Sequence, residues 1–168
     1  MLVQDKAAET MLGEIIASLD EQPLPLGTVA EAVIRMTTDP EVSAKDLAMA
    51  ISGDPGLAGK LIKRANSAFY SGSERITTVP QAIVRIGFPG TRALAVAGSV
   101  HALFRSGDAE GFEQRLWRHS LAVATGARVL IRHIRPALDE EVYLGGLLHD
   151  IAKLILLQRF SSAYQPVL

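Results

Sequence analysis

Cysteine is absent from the 168 residues. Disulfides, a thiol nucleophile and any Cys-ligated zinc or iron–sulfur site are therefore excluded. Aromatic residues make up only 5% of the chain, with a single Trp, which leaves few platforms for stacking single-stranded bases. Long apolar runs are missing too. The longest stretch without Asp, Glu, Lys or Arg is residues 93–104, well short of the ~20 apolar residues that a membrane span needs. The first ten residues, MLVQDKAAET, lack a basic region followed by an apolar core, so no secretion signal is expected. These absences point to a cytoplasmic protein with no membrane partner. Hydrophobic residues are 48% and charged residues 21%, which is globular usage. A chain of this length buries roughly 68–70% of its unfolded surface, enough for one core.

The net charge of −1 is unevenly spread. Residues 1–60 hold 4 basic and 10 acidic side chains, whereas residues 61–135 hold 11 and 4. No nucleic-acid motif accompanies the basic middle, so acidic and basic segments are expected to face each other or a partner protein, and no nucleic-acid partner is expected. Within it, Arg115, Arg118, Arg128, Arg132 and Arg135 read as a solvated face, or as one that meets the acidic N-terminal portion or an acidic partner.

Apolar residues recur at helical spacing almost throughout, and alternation never persists, so an all-α domain is predicted. Met11, Leu12, Ile15, Ile16 and Leu19 make one face of a first helix, which the two prolines of Gln22-Pro-Leu-Pro-Leu-Gly27 end. Thr28 is placed to cap a second helix through Met36. Ser43 with Asp46 resembles a capping box that opens a helix through Ile51. Asp54-Pro55 starts another to about Ala68, being a cap followed by proline at the first helical position. A helix from Thr78 closes at Gly87, and Pro89 opens the next, to Phe104. Two longer helices are predicted over residues 111–133 and 140–160, with Asp139 capping the second.

Chemistry concentrates in these last two. The inward stripe of the first reads Phe112, Leu116, His119, Val123, Ala127 and Leu130, so His119 interrupts an apolar face. His149 and Asp150 lie inside the apolar run of residues 142–157. A buried carboxylate costs several kcal/mol unless it meets a cation, donors or a metal. The short connection makes the helices antiparallel neighbours, which brings His119 to within about 6 Å along the axis of His149. One reading is a hydrogen-bonded cluster without metal. The other is a site for one divalent ion (Mn, Fe, Ni or Zn), since imidazole and carboxylate suit all four. His101 reads as a core histidine, and His133 as a cation favoured in a last helical turn. Asn66 and Ser67 are expected to bond backbone at a helix end while Phe69 and Tyr70 pack down.

A helical His followed by Leu147-Leu-His-Asp-Ile-Ala-Lys153 resembles the HD superfamily of metal-dependent phosphohydrolases. More of the chain resembles an offshoot of it, the HDOD domain (HD-related output domain) of bacterial signalling proteins. The match includes Leu24-Pro-Leu26, Asp39-Pro-Glu-Val-Ser43, Ile51-Ser-Gly-Asp-Pro-Gly-Leu57 and Ala65-Asn-Ser-Ala-Phe-Tyr70. It continues through Ile76–Gly87, Trp117-Arg-His-Ser120 and Gly145–Lys153, covering about residues 19–160 in unbroken order. The resemblance implies one domain over residues 1–168, a multi-helix HD-like bundle. Its N-terminal helical part is residues 1–88, and its HD-like part is residues 89–168. It further implies a non-catalytic regulatory domain that binds other signalling proteins. The alternative is a phosphohydrolase acting on a nucleotide or phosphate ester, in which His119, His149 and Asp150 hold the metal and Lys153 contacts phosphate. Ala152 stands where the hydrolases usually carry Gly, and the later Asp of the hydrolase pattern is not found before Leu168. No catalytic residue and no cofactor beyond that ion are implied. Helix 142–157 is expected to need cover, from further helices beyond Leu168 or from a second copy in a homo-oligomer.

Overall fold

The computed structural model describes residues 26–70, 74–104 and 111–160, together with residues 10, 12, 13, 16, 17, 72 and 164. Every regular element among them is helical, with no strand. The helices are α1 (Thr28–Met36), α2 (Ala44–Ile51), α3 (Pro55–Ala65), α4 (Val79–Leu103), α5 (Phe112–Ile134), α6 (Asp139–Leu148) and α7 (Ile151–Arg159). A 3₁₀ turn, Pro136–Leu138, joins α5 to α6. Of the first predicted helix, Leu12 and Ile16 are helical but exposed rather than packed. Met11, Ile15 and Leu19 lie outside the described residues.

Local chemistry sets most helix starts. The Ser43 hydroxyl accepts from the Asp46 N–H, while the Asp46 carboxylate accepts from the Ser43 N–H, closing the expected capping box. Asp54 accepts from the Leu57 N–H ahead of Pro55, and Thr78 and Gln81 form a second box. At α1 the cap is Gly27 at φ 83°, not Thr28, which is already the first helical residue. The Asp54-Pro55 helix stops at Ala65, three residues before the predicted end, because the Asn66 side chain turns the chain. Its amide donates to the Ile62 and Ile76 carbonyls, and its oxygen accepts from the Ile76 N–H. Gly87 breaks α4 into two helical stretches, as predicted, with φ 79° and ψ 167° that only glycine adopts without strain.

Two apolar cores lie along α4. The first gathers Val33, Leu47, Ile51, Leu61 and Ile83 from α1–α4. The second gathers Val100, Phe104, Leu116 and Leu154 from the end of α4 with α5 and α7. The predicted helix over 140–160 is two helices, interrupted at His149–Asp150, where Asp150 takes φ −112° and ψ 9°. Leu147, Leu154 and Leu157 are buried within the chain, so this segment is covered at those positions, contrary to expectation. Exposed apolar side chains cluster on the far end of α5, where Leu130 is 67% and Ile134 74% accessible, and stand singly elsewhere, as at Val84 and Met49. Among the described residues, no helix is long and apolar enough to cross a membrane.

Candidate functional site

The helix break assembles the His–His–Asp cluster. α5 carries His119, and α6 runs antiparallel to it, close enough that a Cβ on Gly146 would fall 2.7 Å from the Ala124 Cα. The chain turns out of α6 at His149, whose Nδ1 lies 2.7 Å from the Gly146 carbonyl oxygen. That carbonyl can only accept, so Nδ1 donates to it and Nε2 is the ring atom turned toward the cluster. His149 Nε2 sits 3.3 Å from His119 Nε2 and 3.4 Å from Asp150 Oδ2. The third edge, His119 Nε2 to Asp150 Oδ2, is 3.6 Å.

These three atoms form a nearly equilateral triangle. An ion bound tetrahedrally with bonds of ~2.1 Å has donor–donor edges of about 3.4 Å, so the triangle suits one such ion. The Gly146 carbonyl supplies the outer support that orients a ligating imidazole. Among the described residues, no other His, Asp or Glu joins the group. The donor set of two imidazoles and one carboxylate does not select among Mn, Fe, Ni and Zn.

The stripe of α5 is rotated from its predicted position. Its buried residues are Glu113, Leu116, Ser120 and Ala124, while Leu130 faces out. His119 is therefore an edge residue with 55% of its side chain accessible. Asp150 is partly buried and meets the cation its environment calls for: Lys153 Nζ donates to Oδ2 at 2.6 Å. The Lys153 hydrogen bond holds the Asp150 carboxyl below its ordinary pKa, with help from His149 and against a smaller effect of burial.

A second polar cluster went unpredicted. Glu140, at the start of α6, is 6% accessible. Its carboxylate accepts from Arg64 Nη2 at 2.8 and 3.0 Å and from the Tyr70 hydroxyl at 2.6 Å, and it pairs with Arg128 Nη2. Arg132 Nε donates to Asp139 at 3.1 Å, so Asp139 serves as an ion-pair partner rather than a cap. The Arg132 guanidinium stacks 3.3 Å above the Phe69 ring, and that of Arg128 lies 4.4 Å from the Tyr143 ring. Arg128 and Arg132 are thus not a solvated face, whereas Arg115, Arg118 and Arg135 are exposed. Burial and the bond to Glu140 push the Tyr70 hydroxyl pKa up. Burial, the largest single effect on Arg64, lowers its pKa, but the charges of Glu140 and Tyr70 and the hydrogen bonds to both together raise it. This clasp ties α3 and the Asn66–Tyr70 turn to α5 and α6. Asn66 and Ser67 bond backbone as expected, but Tyr70 does more than pack. Charge complementarity between Arg128/Arg132 and Asp139/Glu140 across a short connection was a readable signal. The Arg64 partner, 76 residues from Glu140, carried none.

His101 packs in part as a core residue, its ring 4.6 Å from that of Trp117, and His133 is exposed with no partner chemistry in the cluster.

Comparison with known proteins gives a consistent picture. The model of the HDOD domain family matches residues 24–168. An uncharacterised protein of Treponema pallidum (strain Nichols) is 29% identical over 143 residues, covering 80% of this chain and 25% of that protein. A crystal structure of an HDOD domain protein of unknown function from Geobacter sulfurreducens aligns with a TM-score of 0.66 at 25% identity, over 89% of this chain and 51% of that one. A putative metal-dependent phosphohydrolase from Shewanella amazonensis SB2B aligns with a TM-score of 0.71 at 26% identity, over 99% and 61%. A putative signal transduction protein from Marinobacter aquaeolei VT8 aligns with a TM-score of 0.58 at 28% identity, over 84% and 32%. The chain therefore spans between a quarter and about three-fifths of the length of these relatives.

Proposed function

This chain belongs to the HDOD domain family, and we propose that it is a non-catalytic regulatory domain of bacterial signal transduction that works by binding other signalling proteins. The observation that carries this reading is the openness of the triad. His119, His149 and Lys153 all stand substantially in solvent, with 55%, 35% and 46% of their side chains accessible. Transition-state stabilisation by fixed charges depends on a water-excluded site, and an open surface gives that up. Charge is also balanced without an ion, because Lys153 already neutralises Asp150. Rigidity is invested elsewhere, in the buried Arg64–Glu140–Arg128 clasp, as befits a scaffold that presents a fixed surface.

The near-equilateral donor triangle favours a second reading, a metal-dependent phosphohydrolase. There His119, His149 and Asp150 would hold the ion, and Lys153 would steady a phosphate oxygen. An ion in that place would polarise a phosphoryl oxygen or acidify a bound water.

One experiment separates the two. The protein is loaded with Mn, Fe, Ni or Zn in turn, analysed for bound metal, and assayed against nucleotides and simple phosphate esters. The regulatory reading expects turnover no faster than that of His149→Ala, and capture of a specific partner protein that survives His119→Ala and His149→Ala. Stoichiometric metal and ester hydrolysis, both lost in His149→Ala, would establish the hydrolase instead.

A further inference from the structure

The end of α4 and the start of α5 enclose a cavity that neither the triad nor the clasp uses. His101 comes from α4 and Phe104 from the residue that caps its end, and Gln114, Trp117 and Arg118 from one face of α5. Together they line about 410 Å³, a volume within the range of small-molecule sites. The walls are aromatic. The Trp117 ring lies 4.6 Å from the His101 ring and 5.5 Å from the Phe104 ring, between centroids. Phe104 is buried, His101 and Trp117 are half-buried, and Gln114 and Arg118 stand exposed at the rim.

The chemistry of these five residues selects the occupant. Three π-faces favour a flat aromatic group over a branched aliphatic one. Among the described residues that line it, the one permanent charge is the Arg118 guanidinium and none is a carboxylate. A cationic ligand is therefore disfavoured, even though aromatic walls alone would accept it. A planar fork of donors matches a carboxylate or phosphate group.

We propose that this cavity binds a small ligand consisting of a planar aromatic ring that carries an anionic oxygen group, with the ring against Trp117 and the anion on Arg118. Gln114 supplies an amide that can donate to or accept from the ring's polar edge. The site is distinct from the triad: Trp117 and His119 are two residues apart on α5, about 200° around its axis. It goes beyond the regulatory reading by giving the domain a small-molecule input.

Trp117 is the only tryptophan of the chain, so indole emission reports on this cavity alone. The protein is titrated with benzoate and with phenyl phosphate, which distinguish a carboxylate from a phosphate ligand. Benzyl alcohol supplies the ring without charge, and acetate and inorganic phosphate supply the charge without a ring. Saturable quenching is expected from benzoate or phenyl phosphate, with benzyl alcohol about tenfold weaker or worse and no saturation by acetate or inorganic phosphate. Arg118→Gln, at an exposed position that poses little risk to folding, should weaken the aromatic anion about tenfold. His149→Ala should leave the titration unchanged. Absence of saturable quenching by either aromatic anion overturns the proposal. So does equal binding of benzyl alcohol, or a titration that Arg118→Gln leaves untouched.

Discussion

Glu140→Gln removes the carboxylate that lies between two guanidiniums while keeping the side chain's size. In the folded protein Arg64, Arg128 and Glu140 are all largely buried, with 15%, 13% and 8% of their side chains accessible. The substitution leaves both arginines charged, because a guanidinium does not give up its proton. Arg128 keeps only a distant carboxylate, Asp139, at 3.9 Å, and Arg64 keeps the Tyr70 hydroxyl at 3.4 Å. Breaking a buried ion pair from one side costs about 3–5 kcal/mol, mostly from the charge left without compensation. Partial exposure of both guanidinium groups places this case near the lower end, ~3 kcal/mol. For a chain of this size, each kcal/mol moves Tm by roughly 2–4 °C, so a fall of about 6–12 °C is expected. Urea unfolding followed by circular dichroism measures the same loss as a lower midpoint at unchanged slope. Glu31→Gln, at an exposed position of α1, is the control and should stay within about 0.5 kcal/mol of the parent. A double-mutant cycle of Arg64→Ala with Glu140→Ala then isolates the pair. A loss below ~1 kcal/mol in Glu140→Gln, the size of an ordinary surface pair, would refute the claim that this carboxylate holds the two halves of the bundle together.

Adjacent glycines make a paired test of the α5–α6 contact. Gly146→Ala must push α6 away from the Ala124 backbone, costing about 1–3 kcal/mol. It should also loosen any metal bound three residues on at His149, read by calorimetric titration. Gly145→Ala meets nothing within 4 Å and should stabilise by up to ~1 kcal/mol through helix propensity. Equal effects from the two would show that the helices are not in close contact. Asp46 gives a pH test, since the Ser43 hydroxyl and backbone N–H hold its carboxyl below the ordinary value. A lowered folded pKa means that the stabilisation is fully present above the unfolded value of about 3.9 and is lost as pH falls through the folded one. The urea midpoint of Asp46→Asn should thus lie below the parent's by a constant gap from neutral pH to about pH 5, and the gap should close in stronger acid. A gap that varies between pH 6 and 8 would assign it to another group. If the donor triangle binds an ion, chelator should lower Tm in the parent and leave His149→Ala unmoved.

Legibility of this chain followed the range of the interactions concerned. Ser43 with Asp46, Asp54 before Pro55, and Gly87 act within a few residues, so their elements were readable from sequence. The face of α5 was not, because apolar counting favours Val123, Ala127 and Leu130 as the inward row. The observed row uses Ser120 and Ala124, since α6 comes so close at Gly146 that only small side chains fit between the helices. Rotating the helix to bury small residues moved His119 to the edge. That rotation, with the break after Leu148, lets His119 meet His149 and Asp150 despite the offset expected between their helices. The triad's residues were thus readable but its openness was not. The clasp shows the opposite failure. Glu140 stands in the first turn of α6, where an acid favours the helix dipole, an account sufficient without any partner. Its burial depends on Arg64 and Tyr70, which approach only after α3 and the Asn66 turn have packed against α6. A charged residue whose local role is already satisfied gives no warning that the tertiary fold has claimed it, and the contacts of Glu140 with Arg64 and Tyr70 are of that kind.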